Sequence, residues 1–106
     1  MSQPPKFYME IKNRYPELIA AYENLGEHCQ KAGPLSPKER AIAKLAIAIG
    51  AGLEGGVHSH ARRALDAGLT PDEIRHTALL GLTTIGFPSM MKALAWVEDV
   101  LGEAQA

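Results

Sequence analysis

A chain of 106 residues, 46% hydrophobic and 22% charged, has the size and balance of one small globular domain. Its formal charge of −1 gives no sign of the basic surface that binds nucleic acid or an anionic membrane, and neither partner is expected. The single cysteine, Cys29, excludes an intrachain disulfide.

The N-terminal MSQPPKFYMEIKNRYPE lacks the apolar stretch of a signal peptide. The longest apolar run, Ala41 to Leu53, is broken by Lys44 and is too short to span a bilayer. A cytoplasmic protein is expected.

In chain order, the pattern predicts helices and no strands. Phe7, Ile11, Tyr15, Leu18, Ile19, Tyr22 and Leu25 recur at roughly helical spacing, with Pro16 as an interruption and Gly33-Pro34 as the stop. Ser36-Pro37-Lys38-Glu39 is a capping box that opens a second helix, running to about Gly50-Ala51-Gly52. A third spans about Leu53 to Ala67 and closes at Gly68. Thr70-Pro71-Asp72-Glu73 repeats the capping box and opens a fourth, ending near Gly86. A fifth starts at Pro88 or Ser89 and runs through Met90, Met91, Leu94, Trp96, Val97 and Leu101. The expected architecture is all-α, five to six helices, with an N-terminal helical segment (1–34) and a core (35–102) in one domain.

The second helix, AIAKLAIAIGAG, is apolar around nearly its whole circumference except at Lys44. Such a helix must be covered on all sides, and few short helices are there to do it. Burial between subunits is expected, with Lys44 reaching the oligomer surface or an acidic partner. A central helix inside a monomer is the alternative.

On the third helix, about 100° per residue separates two faces. Leu53, Gly56, Val57, His60, Ala61, Ala64 and Ala67 share one. Glu54, His58 and Arg62 form an i, i+4, i+8 stripe on another. That stripe is either a solvated face with helical ion pairs or the polar side of a site. His58 and His60 point about 200° apart, which disfavours a shared metal ion, so no metal and no cofactor is expected. His60, among apolar neighbours, is either a hydrogen-bonded structural histidine or the proton-transfer group of a site. His28 and His76 read as surface residues, and His76, on a fourth helix that packs near His60, is the better outside candidate for a second site histidine. Thr83 to Pro88, with Met90, Met91 and Trp96, either lines a cleft or belongs to the core.

The stretch from LSPKERAIAKLAIAIG through HARRALDAGLTPDEI resembles the carboxymuconolactone decarboxylase family, which includes the AhpD-like alkylhydroperoxidases. Its sharpest part is His60, Ala64 and Gly68 followed by the threonine-capped helix of Thr70, Glu73 and Ile74. The resemblance implies an all-helical fold assembled as trimers or hexamers. It also implies a peroxidase, peroxiredoxin-type label, whose members carry Cys-x-x-Cys-x-x-x-His with the histidine at His60. The two cysteines then fall on Leu53 and Gly56, and an upstream glutamate of those peroxidases falls on Ala41. A thiol peroxidase needs an attacking thiolate and a resolving thiol, and leucine and glycine are neither.

The decarboxylase branch resembles this chain in keeping the histidine without the cysteine pair. The expected function is therefore a cysteine-free acid–base enzyme of lyase or decarboxylase type. His60 is its acid/base, Glu54 and His58 supplement it, and Arg40 or Arg62 holds an anionic substrate. The alternatives are family-type peroxidase activity, a non-catalytic binding or assembly module, and a metal site of Glu54 and His58 completed by another subunit. His60 is expected to be largely buried, with one nitrogen hydrogen-bonded and the other facing a cavity opened by Gly56. Leu53 and Val57 should exclude solvent there. His58 is expected to pair with Glu54 or Arg62, and Cys29 to be a buried thiol.

Overall fold

The computed structural model describes residues 4–105, with side chains to Glu103, and these residues are helical without a strand. Residues 1–3 and 106, which the single-domain reading includes, lie outside the described residues. The helices are α1 (Lys6–Arg14), α2 (Pro16–Lys31), α3 (Pro37–Ala51), α4 (Glu54–Asp66), α5 (Pro71–Leu79) and α6 (Phe87–Gln105), with a 3-10 turn at Leu80–Thr83.

Local chemistry sets their ends. Ser36 Oγ accepts the Glu39 N–H at 3.2 Å, and Glu39 Oε1 accepts the Ser36 N–H at 2.8 Å. Thr70 and Glu73 repeat the exchange at 3.1 and 2.8 Å. Each box satisfies two amide donors that a helix start otherwise leaves open, and a proline follows at the first helical position. Gly52 closes α3 in the left-handed conformation (φ 69°), and Gly68 (φ 96°) does so just beyond α4.

Two boundaries differ from the sequence reading. The helix opened by Thr70 stops at Leu79 and tightens into the 3-10 turn, rather than continuing to Gly86. The last helix begins at Phe87, directly after Gly86 (φ 94°), one or two residues earlier than the proline and serine suggest. Proline at its second position is compatible with a helix start, where amide donors are unused.

The chain forms two compact units, Met1–Leu35 and Ser36–Ala106. In the first, α1 and α2 pack as a hairpin, and Pro16 opens α2 rather than interrupting one helix. Glu23 ties the hairpin: its carboxylate accepts from Tyr8 Oη at 2.7 Å and from Lys12 Nζ at 3.2 Å. No residue of α1 or α2 is buried. Cys29 is exposed, which corrects the expectation of a buried thiol.

In the second unit α3 packs on α4 and α5, and α6 packs on α4 and α5. Leu45 and Ile49 of α3, Val57, Ala61 and Ala64 of α4, Ile74 and Ala78 of α5, and Val97 and Leu101 of α6 make the core. Met90 is buried, whereas Met91 is exposed, so the methionine pair divides between core and surface. α3 buries one side only. Ala46, Ile47 and Gly50 on its opposite side are exposed, and Ile47 is 69% exposed.

Two lysines stand near left-handed glycines. Lys92 Nζ, on α6, is 3.9 Å from where a Cβ on Gly52 would sit, and 5.2 Å from the centre of the Trp96 ring. Lys38 Nζ stands 3.9 Å from the corresponding point at Gly68. Each brings positive charge to the C-terminal end of a helix, where the macrodipole favours it. α3 has no basic residue in its own last turn, so Lys92 supplies the charge from outside it.

Candidate functional site around His60

α4 presents the small ridge Val57, Ala61 and Ala64 to the core, all fully buried. His60 and His58 fall on opposite flanks of that ridge, as their two-residue spacing requires. The His60 flank includes Gly56, whose Cα approaches Ala48 of α3 closely enough that an added Cβ would lie 3.3 Å from the Ala48 Cβ. The His58 flank faces α6.

His60 is half-buried rather than largely buried. The hydrogen bond expected at one of its ring nitrogens is absent: neither bonds among the described residues, and no sealed side-chain nitrogen or oxygen there is left unpaired, so solvent reaches them. Burial lowers the pKa of this imidazole, because desolvation penalises the cation; Lys44 of α3 and Arg63 of α4 lower it further by charge repulsion. The ring is therefore held neutral near pH 7, with both nitrogens uncommitted and two cations nearby.

His58 Nε2 lies 3.0 Å from Asp99 Oδ2 of α6. The expected partners, Glu54 and Arg62, do not supply that contact. Asp99 is 41 residues distant in sequence, and nothing local to His58 signals it. Glu54 is exposed in the first turn of α4, where a carboxylate suits the helix dipole. Among the described residues no group of three histidine, cysteine, aspartate or glutamate side chains could hold a metal ion.

Other expectations need correction. Leu53 is 54% exposed and does not seal His60 from solvent, whereas Val57 is fully buried as expected. Gly56 does not open a cavity beside the imidazole; Leu53 and Ala48 occupy the space that its missing side chain would take. His76 is exposed in the last turn of α5, as expected of a surface residue. The groups that act on His60 electrostatically are Lys44 and Arg63, neither of them among the residues singled out for the site. Two signals could have found them: Lys44 is the only charge on the apolar stretch of α3, and Arg63 is three residues after His60 on one helix face.

The chain belongs to the carboxymuconolactone decarboxylase family, whose profile matches residues 16–99, reaching back through α2 to its first residue. No curated protein and no solved structure matches it. Its one cysteine lies on α2, outside the segment that carries His60.

Proposed function

We propose that this member of the family is a cysteine-free acid–base enzyme of lyase or decarboxylase type in which His60 transfers the proton. The observation that carries the reading is the state of that imidazole: half-buried, pushed toward neutrality by desolvation, and unbonded at both nitrogens. A neutral imidazole with a free nitrogen accepts a proton from a carbon or oxygen acid and returns it later in the cycle. Lys44 and Arg63 favour a substrate carboxylate near His60 and stabilise the anion left when the proton moves. Glu54 and His58 take secondary parts, His58 through its contact with Asp99. No step requires a thiol, a metal or a cofactor, and a cytoplasmic setting suits such chemistry.

The same reading includes a closed homo-oligomer, a trimer or hexamer as the family resemblance implies, formed on the outer side of α3. The exposed Ile47, with Ile42, Ala46 and Gly50, supports a second copy there.

The test is turnover of small lactone acids and β-keto acids by the wild type and by His60→Asn. A fall of about 100-fold or more, with unchanged circular dichroism, is expected. Equal rates would reject His60 as the proton-transfer group. Peroxide reduction that Cys29→Ser abolishes would favour a thiol peroxidase instead.

A second reading, a non-catalytic binding or assembly module, is favoured by the closure at Gly56, since no substrate space opens there. Absence of turnover across the substrate panel, with an intact oligomer, would select it.

A further inference from the structure

We infer that the side of α4 facing α6 carries a second reactive imidazole: His58, positioned by Asp99, presents Nδ1 as a nucleophile toward small aryl esters whose carboxylate Arg62 holds. The inference does not rest on the chemistry at His60, which lies on the opposite flank of α4.

The contact with Asp99 fixes which nitrogen reacts. His58 Nε2 stands 3.0 Å from Asp99 Oδ2, and the imidazole side chain is 25% exposed. An ionised carboxylate accepts and cannot donate, so the proton of the neutral ring sits on Nε2. The lone pair is then on Nδ1. That atom makes no hydrogen bond among the described residues, and no sealed side-chain nitrogen or oxygen there is left unpaired, so solvent reaches it. A carboxylate behind one nitrogen and open access at the other is the arrangement that readies a histidine for proton transfer or attack. Asp99 is thus a positioning residue, and His58 is the group that reacts.

Arg62 supplies the recognition. It follows His58 by four residues, so the two are neighbours on one helix face, with Cβ atoms about 5 to 6 Å apart. Arg62 is half-buried and makes no ion pair or hydrogen bond among the described residues. A guanidinium without a carboxylate of its own can take one from a ligand in a two-pronged contact. It is also the only permanent cation on the stripe of Glu54, His58 and Arg62, so a ligand carboxylate settles there. Space is open around the pair. Gly55, three residues before His58, has nothing within 4 Å of its would-be Cβ, and neither has Gly102, three residues after Asp99.

The step balances with water as the only co-reactant. Nδ1 attacks the ester carbonyl carbon, and the bond to the phenol oxygen breaks to release a phenolate. The acyl group stays on Nδ1, while the Nε2 proton passes toward Asp99 and out to solvent. Water then adds its oxygen to the acyl carbon, returns a proton to the ring, and the carboxylic acid leaves. Aryl esters fit because imidazole expels only a leaving group of low basicity.

The experiment uses the full chain with acetoxynitrobenzoate, an anionic aryl ester, and with its neutral methyl ester, following release of the nitrophenolate. His58→Gln is expected to lower kcat for the anionic ester by roughly 10-fold or more. Arg62→Gln should raise KM for the anionic ester several-fold and leave the methyl ester unaffected. Asp99→Ala should lower kcat at unchanged KM, and nitrogen NMR should show the His58 ring pass from the Nε2–H form to a mixture. Circular dichroism should not change, since the Asp99 side chain is 59% exposed. Asp99→Glu should restore part of the rate, which a mere tie between helices would not require. Equal rates in wild type and His58→Gln would overturn the inference, whatever His60→Asn does to lactone acids or β-keto acids. An unchanged KM in Arg62→Gln would overturn the ligand class, and an unchanged spectrum in Asp99→Ala would overturn the positioning role.

Discussion

Ala48 Cβ lies 3.3 Å from the point that a Cβ on Gly56 would occupy, and Leu53 Cβ lies 3.2 Å from it. Both neighbours are Cβ atoms, fixed to their backbones, so neither can rotate away. Gly56 is therefore a point of close approach between α3 and α4, and its hydrogen is what lets the helices meet. The cysteine that the family's peroxidases resemble one another in having there would not fit beside Leu53 and Ala48 without a shift of the helix pair. Leucine at 53 and glycine at 56 form one packing unit.

The neighbouring glycine gives the contrast that tests this. Gly55 has nothing within 4 Å of its would-be Cβ. Gly55→Ala should stabilise the protein by about 0.5 to 1 kcal/mol through helix propensity alone. Gly56→Ala gains the same propensity but overpacks the contact, which typically costs about 1 to 3 kcal/mol. It should be net destabilising by about 1 kcal/mol. Urea melts of the two variants measure the opposite signs, and Ala48→Gly should relieve the second variant.

His60 should titrate below the ordinary imidazole value of about 6.5 when followed by NMR. Lys44→Met should raise that value, because Lys44 repels the imidazolium. With a lowered folded pKa, the unfolded chain binds more protons between that pKa and about 6.5. Stability linked to His60 is thus complete above about pH 6.5 and falls as pH drops through the folded value. Any His60-dependent activity should lose its acid limb at the same folded pKa. Titration at or above 6.5 would contradict the account.

Ile47→Asp should break the assembly proposed on α3 while leaving the fold intact, since Ile47 is exposed in the single chain. Sedimentation should show a smaller species whose helical content is unchanged. A mass identical to wild type would remove α3 as an interface.

The two capping boxes predict acid sensitivity. Glu39 and Glu73 are held below the usual carboxylate range, first by the backbone N–H groups of Ser36 and Thr70, respectively. Their support is present above about pH 4.3 and is lost as pH falls through the lowered folded values. Ser36→Ala and Thr70→Ala should each cost about 1 kcal/mol at pH 7. Thermal melts of these variants should show the stability loss relative to wild type narrowing below pH 4.

Helix ends were legible in the sequence because their determinants are local. Serine or threonine, proline and glutamate at fixed offsets start α3 and α5, and Gly52 and Gly68 close helices by permitting a positive φ. The placement of His60 and His58 on separate faces was equally legible, since it needs only the turn angle of one helix. Family membership came from residues on one continuous stretch. What the sequence could not decide were relations between helices. Asp99 reaches His58 from α6, Lys44 reaches His60's field from α3, and Ala48 closes the space at Gly56. Periodicity states which side of a helix is apolar, but the distance between two backbones depends on how every side chain between them packs. That spacing, set by Gly56 on Ala48, turned an apparent cavity into a contact.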